Sequence, residues 1–390
     1  MSKLTKVVLA DDSPFVCSML KNYLQSTTEF EILGVAYDGL EALDLVKQTR
    51  PDVLTLDLEM PKMNGLEVIE HVMYECPTPI VVISGISRNA SDITLKALEM
   101  GAVDFILKYT PGIEINPEYL QADIISKVKG ASNIRVIRSL KSHEHYKANK
   151  DTKLYPFFDY APIKKAPAGI SYHSTQDNII EAGVLVVGAS TGGPVALKEL
   201  INHLPDNYPQ AIVVVQHMNS SFTRVLASQL NKNTNFRVKE AEDGDMLMKD
   251  LILIAPGDYH LMIGSDLRVK LTKGPKVKGH RPSIDVTMQS VSQVYGSKTK
   301  GVVLTGMGDD GAMGLLAIKS KWGSTYVQEP SDCVVDSMPK SAIKKGVVDY
   351  IEPCWKIASL LGSNISKGSM KSASSKSVRK KQNILKYPNW

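Results

Sequence analysis

The sequence predicts an α/β protein built from two doubly wound parallel-sheet domains, and three observations lead there. Over residues 1–128, five short apolar runs rich in β-branched residues alternate with helical lengths. The same alternation returns over residues 181–363. Between them lies a polar stretch with proline, glycine and lysine and no sustained period, which reads as a long linker over 129–180. At 390 residues the chain is long enough for two domains and a connector.

In the first half, "KVVLA" is a strand and residues 15–24 an amphipathic helix. "EILGVA" and "LEALDLVKQ" follow as strand and helix, then "VLTLDL" as strand and 65–72 as helix. "IVVIS", a helix at 91–100, "VDFIL" and a helix at 119–129 complete the unit. In the second half the expected strands are 184–187, 212–215, 251–255, 269–271, 302–304 and 324–327, which make a second parallel-rich α/β domain. "PVALKELINHL" reads as the helix after the first of them. Residues 364–390 are rich in serine and lysine and read as a disordered basic tail.

Composition narrows the class. No apolar run approaches the roughly 20 residues that span a bilayer, and the N-terminus lacks the pattern of a signal peptide. Cys17, Cys76, Cys333 and Cys354 have no zinc or CxxC spacing, so a cytoplasmic location with reduced thiols is expected. The net charge of +5 is misleading, because the tail from Lys367 holds seven lysines or arginines and no acid, which leaves −2 on the remainder. Neither nucleic-acid binding nor membrane insertion is expected of the globular part.

Asp11 and Asp12 follow the first strand, Asp57 ends the third, Ser84 the fourth and Lys108 the fifth. In a doubly wound sheet these positions meet in the crevice beyond the strand carboxyl ends. Crowded carboxylates there suit a hard cation such as Mg²⁺, and the cation with Lys108 would neutralise a phosphoryl group carried by Asp57. The segments "ADDSPFVCSML", "LTLDLEMPKMNG", "VVISGIS" and "GAVDFILK" resemble the receiver domain of two-component response regulators, a flavodoxin-like fold. The resemblance implies phosphorylation at Asp57, with Mg²⁺ on Asp12, Asp57 and the Glu59 backbone carbonyl, and with Asp11 nearby. It also implies a switch hydroxyl at Ser84, a rotating aromatic at Phe105, a phosphate-binding Lys108 and a histidine kinase as phosphodonor. Tyr109-Thr110-Pro111 departs from the proline that usually follows the lysine.

"VLVVGASTGGP" places Ser190 on a glycine-rich turn between strand and helix, where its hydroxyl is lifted clear of the sheet. His217 in "AIVVVQHM" and Asp309 or Asp310 in "VVLTGMGDDGAMG" also stand just past apolar strands, on the same sheet edge. An imidazole to accept the serine proton and a carboxylate to orient the imidazole make a nucleophilic set. Residue reasoning alone does not choose between the two aspartates. The chain order Ser–His–Asp differs from the α/β-hydrolase order, which points to a convergent site. A phosphate loop is the competing reading, but the turn at Ser190 has neither a GK[ST] tail nor GxGxxG spacing.

"VGASTGGP", "VVVQHM", "IAPGDYHLMI", "GHRPSIDVTMQSV", "VVLTGMGDDGAMGL" and "CVVDSMP" resemble the protein-glutamate methylesterases of bacterial chemotaxis, in a Rossmann-like domain. The resemblance implies a triad of Ser190, His217 and Asp310, with oxyanion donors at the Thr191 and Met307 backbone N–H groups. His280, Arg281 and Ser283 are implied as site lining, whereas "VQEPSDCVV" departs from the family wording. The implied activity is a phosphorylation-activated hydrolysis of glutamate methyl esters on the cytoplasmic domain of a chemoreceptor, with deamidation of receptor glutamines at the same site. A receiver-controlled esterase acting on another modified protein, or a regulator with a binding-only output, remain the alternatives.

Overall fold

The computed structural model describes residues 4–85, 87–108, 117–134 and 183–363. Tyr109-Thr110-Pro111, most of the expected linker and the expected tail lie outside them. The first domain runs β1 (Thr5–Ala10), α1 (Pro14–Gln25), β2 (Phe30–Ala36), α2 (Gly39–Thr49), β3 (Val53–Asp57) and α3 (Gly65–Glu75). It continues through β4 (Ile80–Ser84), α4 (Arg88–Glu99), β5 (Asp104–Leu107) and α5 (Pro117–Ser132). The five strands are parallel in the order β2-β1-β3-β4-β5. Every residue of β3 and β4 is buried, as a sheet covered on both faces requires. Helix starts are set locally: Ser13 caps α1, and Asn64 with Glu67 forms a capping box on α3.

The second domain runs β6 (Val184–Ala189), α6 (Gly193–Asn202), β7 (Ala211–Gln216), α7 (Ser220–Asn233), β8 (Arg237–Glu240) and β9 (Leu251–Ile254). Then come β10 (His260–Ile263), β11 (Val269–Thr272), α8 (Ile284–Tyr295), β12 (Thr299–Val303) and α9 (Ala312–Ser320). It ends with β13 (Ser324–Gln328), α10 (Ser337–Lys344), β14 (Tyr350–Glu352) and α11 (Cys354–Ser363). Seven parallel strands lie in the order β14-β13-β12-β6-β7-β9-β8. No described helix is long and apolar enough to cross a membrane.

Three expectations change. The run at 269–271 is not in the parallel sheet: it forms β11 and pairs antiparallel with β10 as a separate hairpin. The reason is a tight reversal in which Gly264 N–H donates to Arg268 O and Leu267 adopts φ 65°. Helix α5 runs Pro117–Ser132, longer at both ends than the expected 119–129. Strands β8, β10 and β14, of three or four residues each, were not expected because such short runs carry little periodic signal.

The two domains share one continuous apolar cluster, in which Leu95 and Leu98 of α4 belong with Leu226 and Leu230 of α7. Lys198–Glu99 at 2.7 Å and Gln229–Asp92 at 3.3 Å link the domains at exposed positions. On the sheet, Gly188 pairs with Val303 of β12, one residue before Ala189 pairs with Gln216 of β7. A Cβ on Gly188 would run into the side chain of Ile284, so this glycine lets the start of α8 press against β6. Gly188→Val should therefore lower the unfolding free energy by about 1–3 kcal/mol through overpacking, read as a lower urea midpoint; an unchanged midpoint would contradict this contact.

Candidate functional site

The receiver-side pocket forms where β1, β3, β4 and β5 end. Asp11 and Asp57 are buried and Asp12 is exposed. Lys108 Nζ lies 2.7 Å from Asp57 and 3.1 Å from Asp11. Burial pushes the Asp57 carboxyl up to about 6 against the pull of Lys108, and Asp11 adds to the rise. Burial also raises Asp11. Desolvation works against the Lys108 charge, but its two carboxylate partners outweigh it and raise the ammonium. One oxygen from each of Asp11, Asp12 and Asp57 lies within 4.8 Å of the others. Glu59 turns its side chain to solvent while its backbone bonds to Asp57. Ser84 Oγ is drawn toward α4, 2.5 Å from Thr94 Oγ1. Phe105 does not lie free: its ring stacks on Phe222 of α7, centroids 4.3 Å apart.

The serine-side site forms at the ends of β6, β7 and β12, which are neighbours in the sheet. Ser190 follows β6 on a turn that closes at Gly192, φ 75°, where a Cβ would meet Val334. Ser190 N–H donates to Thr305 O, and Gly193 N–H returns to Ser190 O. Gln216 Nε2 donates to Ser190 O at 2.8 Å and braces the turn from β7. His217 directly follows β7, and its N–H donates to Ala189 O. Among the described residues, the Thr191 and Met307 backbone N–H groups have no acceptor, so they are available to an oxyanion.

The structure separates the two aspartates. Asp309 is exposed and pairs with Lys278 at 3.1 Å. Asp310 is buried, and its Oδ2 accepts from His217 Nε2 at 2.9 Å and from Ile284 N–H at 2.8 Å. Its Oδ1 accepts from Ser283 Oγ and from the N–H groups of Asp285 and Gly311. Burial alone would raise this carboxyl, but the hydrogen bond and charge of His217 and the backbone donors hold it well below the usual carboxylate range. Asp310 is thus an ionised acceptor at the N-terminus of α8.

A cavity of about 690 Å³ runs between the domains and is lined by Ser190, Thr191, His217 and His280 on one side and by Asp104 and Phe105 on the other. His280 stacks on His217 with centroids 3.8 Å apart and planes 6° from parallel. Burial, then the neighbouring His217, pushes the His280 ring down to about 4. Arg281 lines the cavity while its Nη1 is held by the carbonyls of Lys273 and Gly274. Ser283 departs from expectation: it is fully buried behind the cavity wall, caps α8 and gives its hydroxyl to Asp310.

Sequence reasoning missed three residues. Asp285 accepts from Gly311 and Gly314 N–H groups at 2.8 and 2.7 Å and from Lys278 at 3.0 Å, fixing the loop that carries Asp310. Lys278 ties that loop again through Asp309 O. Asp104 of β5 accepts a hydrogen bond from the Thr191 hydroxyl across the domain boundary. An acid in the first turn of α8 was visible as a helix-start signal, but partners separated by 26 to 87 residues were not.

Comparison with known proteins fits this geometry. A CheB methylesterase family model matches residues 185–361, and a response regulator receiver domain model matches 7–116. A Pyrococcus horikoshii protein named protein-glutamate methylesterase/protein-glutamine glutaminase is 39% identical over 362 residues, 92% of each chain. A Thermotoga maritima protein of the same name is 35% identical over 359 residues, 91% of this chain and 97% of that one. The solved CheB methylesterase catalytic domain of Thermotoga maritima is 41% identical and covers 47% of this chain and 98% of its own, with TM-score 0.46. Fold, site and matched segments define a response regulator whose output domain is a hydrolase. The chain belongs to the CheB methylesterase family.

The His280 stack generates a pH prediction. The folded ring titrates near 4 against an ordinary 6.5, so between these values the unfolded chain binds a proton that the folded chain refuses. Stability should fall as pH drops through that window. His280→Phe should flatten the slope of unfolding free energy against pH by up to one proton, measured by urea titration at several pH values; an unaltered slope would show that His280 does not titrate in this way.

Proposed function

We propose that this protein hydrolyses glutamate γ-methyl esters on the cytoplasmic domain of chemoreceptors under control of receiver phosphorylation, and deamidates receptor glutamines at the same site. The observation that carries the reading is the ionised Asp310 bonded to His217 on the cavity that also holds Ser190. Ser190 Oγ attacks the side-chain carbonyl while His217 takes its proton. The Thr191 and Met307 N–H groups hold the oxyanion. Asp310 keeps the ring oriented and stabilises the imidazolium. The imidazolium protonates the leaving group, methanol from an ester or ammonia from an amide, and water then releases glutamate by the reverse proton path. His280 and Arg281 shape the substrate side of the cavity.

The receiver lies across this machinery. Asp104 holds the Thr191 hydroxyl, while Ser126 and Gly130 of α5 press on the Met307 side chain. Both oxyanion residues are therefore capped by the receiver, which supports inhibition by covering. Phosphorylation of Asp57 by a histidine kinase is the relieving signal, sensed through Lys108, Ser84 and Phe105. Mg²⁺ fits the receiver acids, because their oxygens crowd together and Asp57 resists ionisation in its burial. Asp12, Asp57 and the Glu59 carbonyl would hold it, with Asp11 adjacent, and when bound it would neutralise the phosphoryl oxygens. The division into receiver (1–128), linker (129–180), methylesterase domain (181–363) and basic tail (364–390), and a cytoplasmic place of action, belong to the same proposal.

Ser190→Ala and His217→Ala should each abolish methanol release from methylated receptor with the fold intact by circular dichroism. Asp310→Ala should lower kcat by about 10³–10⁴-fold, and Asp309→Asn should be nearly silent. A larger loss from Asp309→Asn than from Asp310→Ala would reverse the aspartate assignment.

Regulation is tested on the unphosphorylated full chain. Asp104→Ala and Phe105→Ala should raise the basal rate severalfold, and Asp57→Asn should keep the basal rate but lose the response to a small-molecule phosphodonor. A chelator should block that response in the wild type while sparing the basal rate. Unaltered rates in both interface variants would sink the covering model, and loss of basal activity on chelation would mean that the esterase site itself needs a metal.

A further inference from the structure

Resting on the triad reading above, we propose that the nitrogen of His217 that takes the serine proton is Nδ1, with Nε2–H directed at Asp310. This is the reverse of the serine-protease arrangement, in which Nδ1–H meets the aspartate and Nε2 meets the serine. Three observations carry the assignment. Nε2, not Nδ1, is the atom 2.9 Å from Asp310 Oδ2. Asp310 receives four other donors, from Ser283, Ile284, Asp285 and Gly311, so its carboxylate acts only as an acceptor and the bridging proton sits on Nε2. Nδ1 is buried and has no hydrogen-bond partner. A neutral imidazole carries one N–H, so Nδ1 holds a lone pair.

Sheet order explains the reversal. Ser190 leaves β6, the strand next to β7, whereas Asp310 follows β12, one strand further away. Neighbouring strands are about 4.8 Å apart. Nδ1 is one bond nearer the backbone than Nε2, so the near nitrogen suits the serine on the adjacent strand and the far nitrogen suits the more distant aspartate. His280 covers the ring face, which leaves only the ring edge for proton transfer. In the step itself, the Ser190 O–H bond breaks and its proton goes to the Nδ1 lone pair. The Oγ–C bond forms and the carbonyl π pair moves onto oxygen. The Nδ1–H proton then goes to the departing methoxide as the C–O bond breaks, giving methanol.

The tautomer is read without substrate, so this test stands or falls separately from the esterase reading. The full chain, with its eight histidines, is labelled with ¹⁵N-histidine. Long-range proton–nitrogen spectra are recorded at rising pH until the ring signals stop moving. His217 is assigned by the signals lost in His217→Gln. Nε2 couples to both ring carbon protons and Nδ1 strongly to one, which identifies the nitrogens. The expected result is a protonated Nε2, with Nδ1 at the lone-pair end of the shift range. In Asp310→Asn, the amide NH₂ donating to Nε2 should move the proton to Nδ1. A wild-type ring protonated on Nδ1, an even mixture of tautomers, or an Asp310→Asn ring still protonated on Nε2 would each overturn the proposal.

Discussion

One buried charge organises the catalytic half of the molecule. Asp310 sits at 1% exposure with an ionised side chain, a state that is costly unless donors replace the lost water. Five donors do so, and they come from different places: His217 past β7, Ser283 at the cap of α8, the first two N–H groups of that helix, and Gly311 in its own loop. Satisfying the carboxylate therefore fixes the loop after β12, the start of α8 and the imidazole together. Asp285 repeats the device one layer back. Its carboxyl is raised by burial and by the charge of Asp310, with Lys278 and the Gly314 N–H pulling the other way. Two buried acids side by side are tolerable here because a lysine and several backbone donors surround them.

The strand order then decides what the fixed pieces can reach. β6 lies between β12 and β7, so the serine stands between the strands that deliver aspartate and histidine. A chain order of serine, histidine, aspartate becomes a spatial order of aspartate, serine, histidine. The small side of Gly188 lets Ile284 and α8 close over this edge. The elbow is braced from β7 by Gln216, which also crowds Gly193 so closely that a side chain there would collide.

The receiver meets this site through the same edge that would sense phosphate. Lys108, bonded to Asp57, directly follows β5, and β5 supplies both Asp104 and Phe105 to the domain boundary. Ser84 is joined to α4 through Thr94, and α4 is the helix whose leucines share the apolar cluster with α7. The pocket and the catalytic turn are thus joined by contiguous packed elements. A packed boundary of this kind shifts between discrete arrangements rather than deforming smoothly.

By itself, the sequence determined what local pattern can encode. Apolar runs such as "VLVVGA" and "IVVIS", alternating with helical lengths, read as buried parallel strands, and placing chemistry-bearing residues just past such runs put Asp57, Lys108, Ser190 and His217 on strand ends. The motifs extended this to the family and to Asp310. Tertiary structure decided everything that depends on partners distant in the chain. It buried Asp310 and exposed Asp309, though the two are adjacent and chemically identical. It withdrew Ser283 behind the wall, moved 269–271 into a hairpin, and set Asp104 on Thr191. The physical reason is that periodicity records which face of an element is apolar, whereas the partner of a buried polar group is chosen by the approach of a separate element, and a hydrogen bond across 87 residues leaves no periodic trace.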